Sequence, residues 1–213
     1  MNGFHLIYFS DPMCSWCWGF SPVIEAIGAR YGEALPIRLI MGGLRPGTLE
    51  PMSAKARREV RGHWAEVTNA SGQPFGTSVV DKEGFVYDTD PAARAVVVAR
   101  RIEPAVGLRY LRAAHRAFYV EGRDVTDREV LAELASEQGL ARDVFVADLN
   151  SEEAKQETWA DYNTSLNAGV SGFPTLIVGP KPDGQYAMIT RGFKARDDVL
   201  ATIDRWLSAQ AAA

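Results

Sequence analysis

The chain is poor in cysteine and histidine and carries little net charge. Its 213 residues include two cysteines and three histidines, and the formal net charge is −4. Two cysteines are too few for a fold stapled by disulfides. A small negative charge gives no reason to expect nucleic acid or an anionic membrane as a partner, so we expect neither. The 46% of hydrophobic and 23% of charged residues are typical of an ordinary globular protein.

Long apolar runs are also missing from the sequence. The run at residues 4–9 is far too short to span a bilayer, and no run elsewhere approaches about 18 residues. The amino terminus lacks the basic segment and long apolar stretch of a secretory signal. We therefore expect a cytoplasmic protein. In a reducing compartment, a close cysteine pair is more often catalytic or metal-binding than a permanent staple.

The first 41 residues predict a strand, a helix and a second strand. Residues 4–10 are short, apolar and rich in aromatics, which is typical of a buried strand. Apolar residues recur at helical spacing through residues 14–31, and residues 36–41 read as the next strand. A strand, a helix and a strand within so few residues indicate a βαβ unit with parallel strands.

The carboxyl end predicts two more strands and a helix. Residues 175–178 and 186–190 form a predicted hairpin around a turn at 181–184, and a last helix covers residues 196–210. Neither terminal unit can bury a sheet alone. Together they predict an α/β fold with a four-stranded mixed sheet, a discontinuous domain made of residues 1–46 and 167–213.

Residues 47–166 between these units are expected to form an inserted helical domain. Asp90 and Pro91 match an N-cap followed by an N1 proline, and Thr126 with Glu129 matches a capping box. The predicted helices cover about residues 52–70, 90–102, 105–120, 126–139, 143–149 and 151–166.

The two cysteines form the motif Cys14-Ser15-Trp16-Cys17, at the junction of the first strand and helix. A redox dithiol needs an exposed thiolate and a close partner that can displace a mixed disulfide. The free N–H groups of a helix amino terminus lower a thiol pKa. We therefore predict that Cys14 is the nucleophile and that Cys17, one turn later and more enclosed, is the resolving thiol.

Two other uses of the pair stay open. A structural zinc site needs about four ligands, but the three histidines, His5, His63 and His115, share no ligand spacing with the cysteines. We expect no metal site, and we expect His63 and His115 at the surface or packed. An inert buried pair is the second alternative.

The segment Val170-Ser171-Gly172-Phe173-Pro174-Thr175 precedes the third predicted strand. An X–Pro bond at this place is a candidate cis peptide, although an ordinary turn explains it too. A cis Pro174 would turn the backbone of Phe173 toward the thiols, where it could pair with an extended substrate segment.

These features together resemble the thioredoxin superfamily, and the helical insertion resembles its DsbA family. The stretches "DPMCSWCWGFSP", "MGGLRPG" and "VSGFPT" are most similar to cytoplasmic FrnE-like proteins, or predicted protein-disulfide isomerases, over essentially the whole chain. The resemblance implies a thioredoxin-like fold and a redox-active disulfide. It also implies that Cys14 attacks, Cys17 resolves, Pro174 is cis and Phe173 offers its backbone to the substrate.

The residues around the motif have less definite roles. In this superfamily the dipeptide between the cysteines tunes the redox potential. Ser15-Trp16 is neither the Pro-His of the periplasmic oxidant nor the Gly-Pro of thioredoxin. Trp16 is a candidate for substrate contact or for packing, and Trp18 for packing or shielding of the sulfurs. Pro22 is expected to kink the helix.

A buried acid accepts the proton of the second cysteine in other thioredoxins, and the first strand offers Tyr8 at that place instead. Asp11 is near in sequence and is a candidate proton acceptor, with a loop or capping role as the alternative.

The leading functional hypothesis is a thiol–disulfide oxidoreductase for protein or small-molecule disulfides and dithiols. No metal or organic cofactor is expected, and glutathione is one thiol partner that such a pair can use. Kappa-class glutathione transferases and hydroxychromene-carboxylate isomerases resemble this fold with a serine in place of the first cysteine, and form one alternative. A non-catalytic, chaperone-like binding module is the other. The direction of the redox chemistry and the oligomeric state are not predicted.

Overall fold

A computed structural model of the protein describes residues 3–77, 79–181 and 183–211. Its sheet contains four strands, in the spatial order β2-β1-β3-β4. They are β1 (His5–Ser10), β2 (Ile37–Met41), β3 (Thr175–Gly179) and β4 (Ala187–Arg191). β1 is parallel to β2 and antiparallel to β3, and β3 is antiparallel to β4. The predicted mixed sheet is confirmed, although the predicted turn at 181–184 includes Pro182, which lies outside the described residues.

Eight α-helices occur within the described ranges. Two belong to the terminal units: α1 (Ser15–Tyr31) and α8 (Arg196–Ala211). The other six form the predicted helical insertion. They are α2 (Ala54–Ser71), α3 (Asp90–Ile102), α4 (Gly107–Tyr119), α5 (Arg128–Glu137), α6 (Arg142–Leu149) and α7 (Glu152–Asn167). No helix in the described part of the chain is long and apolar enough to cross a bilayer.

The two faces of the sheet bury different clusters, because successive side chains of a strand point to opposite sides. Leu6 and Tyr8 of β1 face the large core, which continues into the helical insertion. Ile7 and Phe9 face a small cluster on the other side, against which Phe173 packs. The large core runs through both parts of the chain, and the division into 1–46 with 167–213 and 47–166 stays a prediction.

The predicted start of α5 is wrong by one residue. Asp127, not Thr126, is the N-cap, and its carboxylate accepts a hydrogen bond from the Glu129 backbone N–H at 2.8 Å. The Thr126 hydroxyl donates instead to Asp124 Oδ1 at 2.6 Å. The hydroxyl that a capping box at Thr126 requires therefore binds the nearby Asp124 carboxylate instead of a backbone N–H of the helix.

Candidate active site at the two cysteines

Cys14 is the N-cap of α1 and follows a tight turn after β1. Its backbone N–H donates to the Asp11 carbonyl at 3.1 Å, and its carbonyl accepts from the backbone N–H groups of Cys17 and Trp18 at 3.0 and 3.1 Å. Both cysteines are free thiols. Cys14 is 6% exposed and Cys17 is fully buried, so an incoming molecule reaches Cys14 first.

The loop before β3 lies against Cys14, although it is 159 residues away in sequence. The Phe173–Pro174 peptide bond is cis. The Cys14 thiol donates a long hydrogen bond to the Phe173 carbonyl oxygen, with 3.7 Å between sulfur and oxygen. The two segments that the sequence singled out for redox chemistry and for substrate contact are thus adjacent in space.

Gly42, in the loop after β2, leaves room for the ring of Phe173. A Cβ atom at Gly42 would lie 2.1 Å from Phe173 Cε1, far inside van der Waals contact. Nothing in the local sequence distinguishes Gly42 from the other loop glycines, so its role becomes visible only in the fold.

We expect Gly42→Ala to displace the Phe173 ring and to lower the free energy of unfolding by about 1–3 kcal/mol, the usual cost of overpacking. Disulfide exchange should slow as well, because the ring moves with the backbone that faces Cys14. Gly62→Ala on α2 is the matched control, since a Cβ there meets no atom within 4 Å and helix propensity favours alanine. Chemical denaturation and exchange rates measure both effects. A Gly42→Ala protein as stable as the wild type would contradict the role of Gly42.

The two tryptophans near the cysteines, Trp16 and Trp18, have different surroundings. Trp16 is half-buried and contacts Phe193, with 5.7 Å between ring centroids. Trp18 is 5% exposed, and its Nε1 donates to the Pro74 carbonyl at 3.0 Å. Trp18 therefore packs between α1 and the helical insertion, while Trp16 stays at the rim. Ser15 is also partly exposed, and Pro22 lies inside α1.

The pKa of the Cys14 thiol is raised well above its ordinary value. Its hydrogen bond to the Cys17 side chain and its burial raise the pKa, and the backbone N–H of Cys17 lowers it. This direction is opposite to the one expected from the helix amino terminus. Two adjacent, enclosed sulfurs favour a shared proton over a free thiolate.

Tyr8 occupies the position beneath Cys17. Its hydroxyl accepts a hydrogen bond from Ser10 Oγ at 3.1 Å and contacts the Cys17 thiol. Burial raises the pKa of Tyr8 well above its ordinary value, so the hydroxyl stays neutral. A neutral hydroxyl does not take up the Cys17 proton as a carboxylate would, but it can donate a hydrogen bond to a Cys17 thiolate.

Asp11 holds the turn that leads into Cys14. Its carboxylate is fully buried and accepts hydrogen bonds from the backbone N–H groups of Met13 and Leu44, both at 2.9 Å. Burial raises the pKa of Asp11 to about 6, against the opposing effect of these N–H donors. The contacts fit the loop and capping interpretation, and its role as a proton acceptor stays a prediction.

The helical insertion supplies a polar support for this turn that the sequence analysis missed. The Tyr87 hydroxyl donates to the Met13 carbonyl at 2.6 Å and lies 3.4 Å from the Tyr119 hydroxyl. His115 is buried, and its Nε2 lies 3.0 Å from the Asp11 carbonyl. Burial lowers the pKa of His115 to about 4. No local pattern marks these residues, because their partners lie 74 and 104 positions away.

In the described ranges, no group of three or more His, Cys, Asp or Glu side chains is arranged to hold a metal ion.

Comparison with known proteins places the chain in a family. The DSBA-like thioredoxin domain matches residues 5–197. The chain therefore belongs to the DsbA-like thioredoxin family, and the predicted family and thioredoxin-like fold are confirmed. A thiol–disulfide oxidoreductase is the general class that this family and its solved members support.

The solved structures that resemble the chain over nearly its whole length include two proteins of disulfide exchange. One is a candidate protein disulfide isomerase from Nitrosomonas europaea, with a TM-score of 0.89 and 37% identity, covering 97% of this chain and 98% of that one. The other is the cytosolic disulfide reductase DsbM from Pseudomonas aeruginosa, with a TM-score of 0.77 and 28% identity, covering 96% and 99%.

A curated relative has a different description. The ClpXP adapter protein SpxH of Shouchella clausii is 26% identical over 186 residues, which cover 84% of this chain and 61% of the relative. The chain therefore spans about three fifths of the length of that relative.

Proposed function

We propose that the protein is a thiol–disulfide oxidoreductase that works through Cys14 and Cys17. One observation carries the proposal. Two free thiols lie one helical turn apart, and the outer one donates a hydrogen bond to the carbonyl oxygen of Phe173, the residue before the cis Pro174. This arrangement offers a nucleophile, a resolving thiol and a backbone group for the substrate in one place. We also propose a reducing compartment such as the cytosol.

The proposed reaction has two displacement steps. The Cys14 thiolate attacks one sulfur of a substrate disulfide, and the other substrate sulfur leaves as a thiolate and takes up a proton. Cys17 then loses its proton and attacks the Cys14 sulfur of the mixed disulfide, which releases the second substrate thiol. Two electrons pass from the protein to the substrate, and the reverse sequence oxidises a dithiol. Tyr8 stabilises the Cys17 thiolate by its neutral hydroxyl.

The substrate is proposed to bind at the rim of this site. Beside Cys14, Phe173 offers backbone to an extended segment, and Trp16 offers a half-buried ring to an apolar group. We propose that small disulfides such as oxidised glutathione and protein disulfides both bind at this rim. A solved DsbM structure contains reduced glutathione, which supports glutathione as one thiol partner.

We further propose that the pair acts mainly as a reductant. A dithiol becomes strongly oxidising when its thiolate is stabilised, as in DsbA. Here the contact with Cys17 and burial raise the Cys14 pKa, so the thiolate receives little stabilisation. The structural relative DsbM is described as a reductase, which agrees with this direction.

Equilibration with glutathione buffers tests the proposal. We expect a reduction potential closer to the about −270 mV of thioredoxin than to the about −120 mV of DsbA. Mass spectrometry after alkylation measures the oxidised fraction at each buffer ratio. A potential near that of DsbA would contradict the reductive direction. A pair that forms no disulfide under mild oxidant would contradict the function as a whole.

A second function, the binding of a protein partner without turnover, is favoured by the similarity to SpxH adapters. A Cys14→Ser protein separates the two. If partner binding or suppression of aggregation is unchanged while wild-type protein exchanges no disulfide, the binding function is the correct one. The glutathione transferase alternative would instead require turnover of an aromatic electrophile that persists in Cys17→Ser.

A further inference from the structure

A cavity of about 480 Å³ lies between α1 and α4. Ile24 of α1 and Leu108 and Leu111 of α4 form apolar walls. Pockets for small molecules commonly have volumes of about 300–1,000 Å³ and mostly apolar walls with a few polar groups. The cavity therefore has the size and the lining of a small-molecule site.

The inner end of this cavity is formed by buried polar residues. Tyr8 and His115, which also contact the active site, are among its lining residues. Burial keeps His115 neutral, and its Nε2–H donates to the Asp11 carbonyl, so the ring proton is on Nε2. His115 Nδ1 is then a bare acceptor, and it is buried without a hydrogen-bond partner among the described residues. Because Nδ1 has almost no accessible surface, a molecule in the cavity does not reach it, and His115 contributes only part of its neutral ring to the lining.

The mouth of the cavity is positively charged. Arg109, Arg112 and Arg116 of α4 line it, and they lie on one side of the helix because of their three- and four-residue spacing. Arg112 pairs with Glu25 of α1, which also lines the cavity, and Arg116 pairs with Glu121 at 2.8 Å. Arg109 has no ion-pair partner within the described ranges. Arg112 and Arg116 are each paired with a carboxylate, so Arg109 leaves a net positive charge at the mouth, which favours an anionic ligand.

We propose that this cavity is a second ligand site, which takes a small carboxylate with an apolar body. The carboxylate binds Arg109 and Arg112 at the mouth, and the body lies against Ile24, Leu108 and Leu111. The ligand does not react with Cys14, so the site is independent of the proposed disulfide exchange.

Isothermal titration calorimetry with 3-(4-hydroxyphenyl)propionate tests the site. We expect saturable binding with one site per chain. Gly28→Leu should weaken it at least about tenfold by filling the cavity, because Gly28 lines the cavity and a Cβ there meets no atom within 4 Å. Gly62→Leu is the matched control, a helical glycine with equally open surroundings outside the cavity, and it should bind like the wild type.

Further measurements test each part of the ligand. Arg109→Gln should weaken binding about tenfold, as expected for loss of a charge-assisted contact, and the neutral amide of the same compound should bind comparably weakly to the wild type. The apolar body should supply the remaining affinity, so 3-phenylpropionate, which lacks the hydroxyl, should bind with comparable affinity. The proposal is overturned by no binding at millimolar concentration, by equal binding to Gly28→Leu, or by equal binding of the amide.

Discussion

The Cys17→Ser protein is expected to accumulate a mixed disulfide with oxidised glutathione, and the Cys14→Ser protein is expected to form it at least about a hundredfold more slowly. The reason is access, because Cys14 retains a small exposed fraction and Cys17 has none, and thiol–disulfide exchange needs access to the attacking sulfur. Neither variant can close an internal disulfide, since the chain has no other cysteine. Mass spectrometry measures the adduct as one added glutathione per chain.

The two variants control for each other, because each keeps one thiol in an otherwise unchanged site. Both should lose multiple-turnover reduction of a disulfide substrate. Faster adduct formation by the Cys17 thiol would reverse the assigned roles of nucleophile and resolving residue. Equal rates of adduct formation by the two variants would indicate that Cys17 becomes as accessible to glutathione as Cys14, which contradicts its buried position in α1.

The second large effect concerns the pH dependence of stability, to which Asp11 and His115 make opposing contributions that nearly cancel in the wild type. The pKa of Asp11 is raised from 3.8 to about 6 in the folded protein, so its contribution to stability is present below pH 4 and lost as the pH rises through 6. The pKa of His115 is lowered from 6.5 to about 4, so its contribution is present above pH 6.5 and lost as the pH falls through 4. Each is worth about 3 kcal/mol, and the two nearly cancel.

Removal of one of the two groups should make the pH dependence caused by the other measurable. Relative to the wild type, the free energy of unfolding of His115→Gln should fall by about 3 kcal/mol between pH 4 and 6.5, because only the Asp11 effect remains. That of Asp11→Asn should rise by about the same amount over this window. Urea denaturation at a series of pH values measures both slopes. Parallel profiles for the wild type, His115→Gln and Asp11→Asn would refute the two opposing contributions.

The support of the turn before Cys14 links stability to the chemistry of the site. Asp11 ties this turn to the loop after β2 through Leu44, and His115 and Tyr87 tie it to the helical insertion. The insertion therefore fixes the position of the proposed nucleophile. This gives α4 and the loop that carries Tyr87 a role that their local sequence patterns alone do not reveal.

The resemblance of the sequence to known proteins indicated the family, and the amino-acid sequence by itself determined the order of strands and helices, the mixed sheet and the motif Cys14-Ser15-Trp16-Cys17. These follow from local periodicity, from turn residues and from short motifs, whose physical causes act over a few positions. Even the error at the start of α5 was local, because Asp124 competed for the hydroxyl of Thr126.

Only the tertiary structure decided what surrounds the two sulfurs. The contact of Cys14 with Phe173 joins residues 159 positions apart, and that of Asp11 with His115 joins residues 104 positions apart. The raised pKa of Cys14 likewise depends on burial and on the closeness of Cys17, which outweigh the helix amino terminus. Desolvation and long-range packing have no signature in a short stretch of sequence, so the chemistry of the thiols depends on the fold.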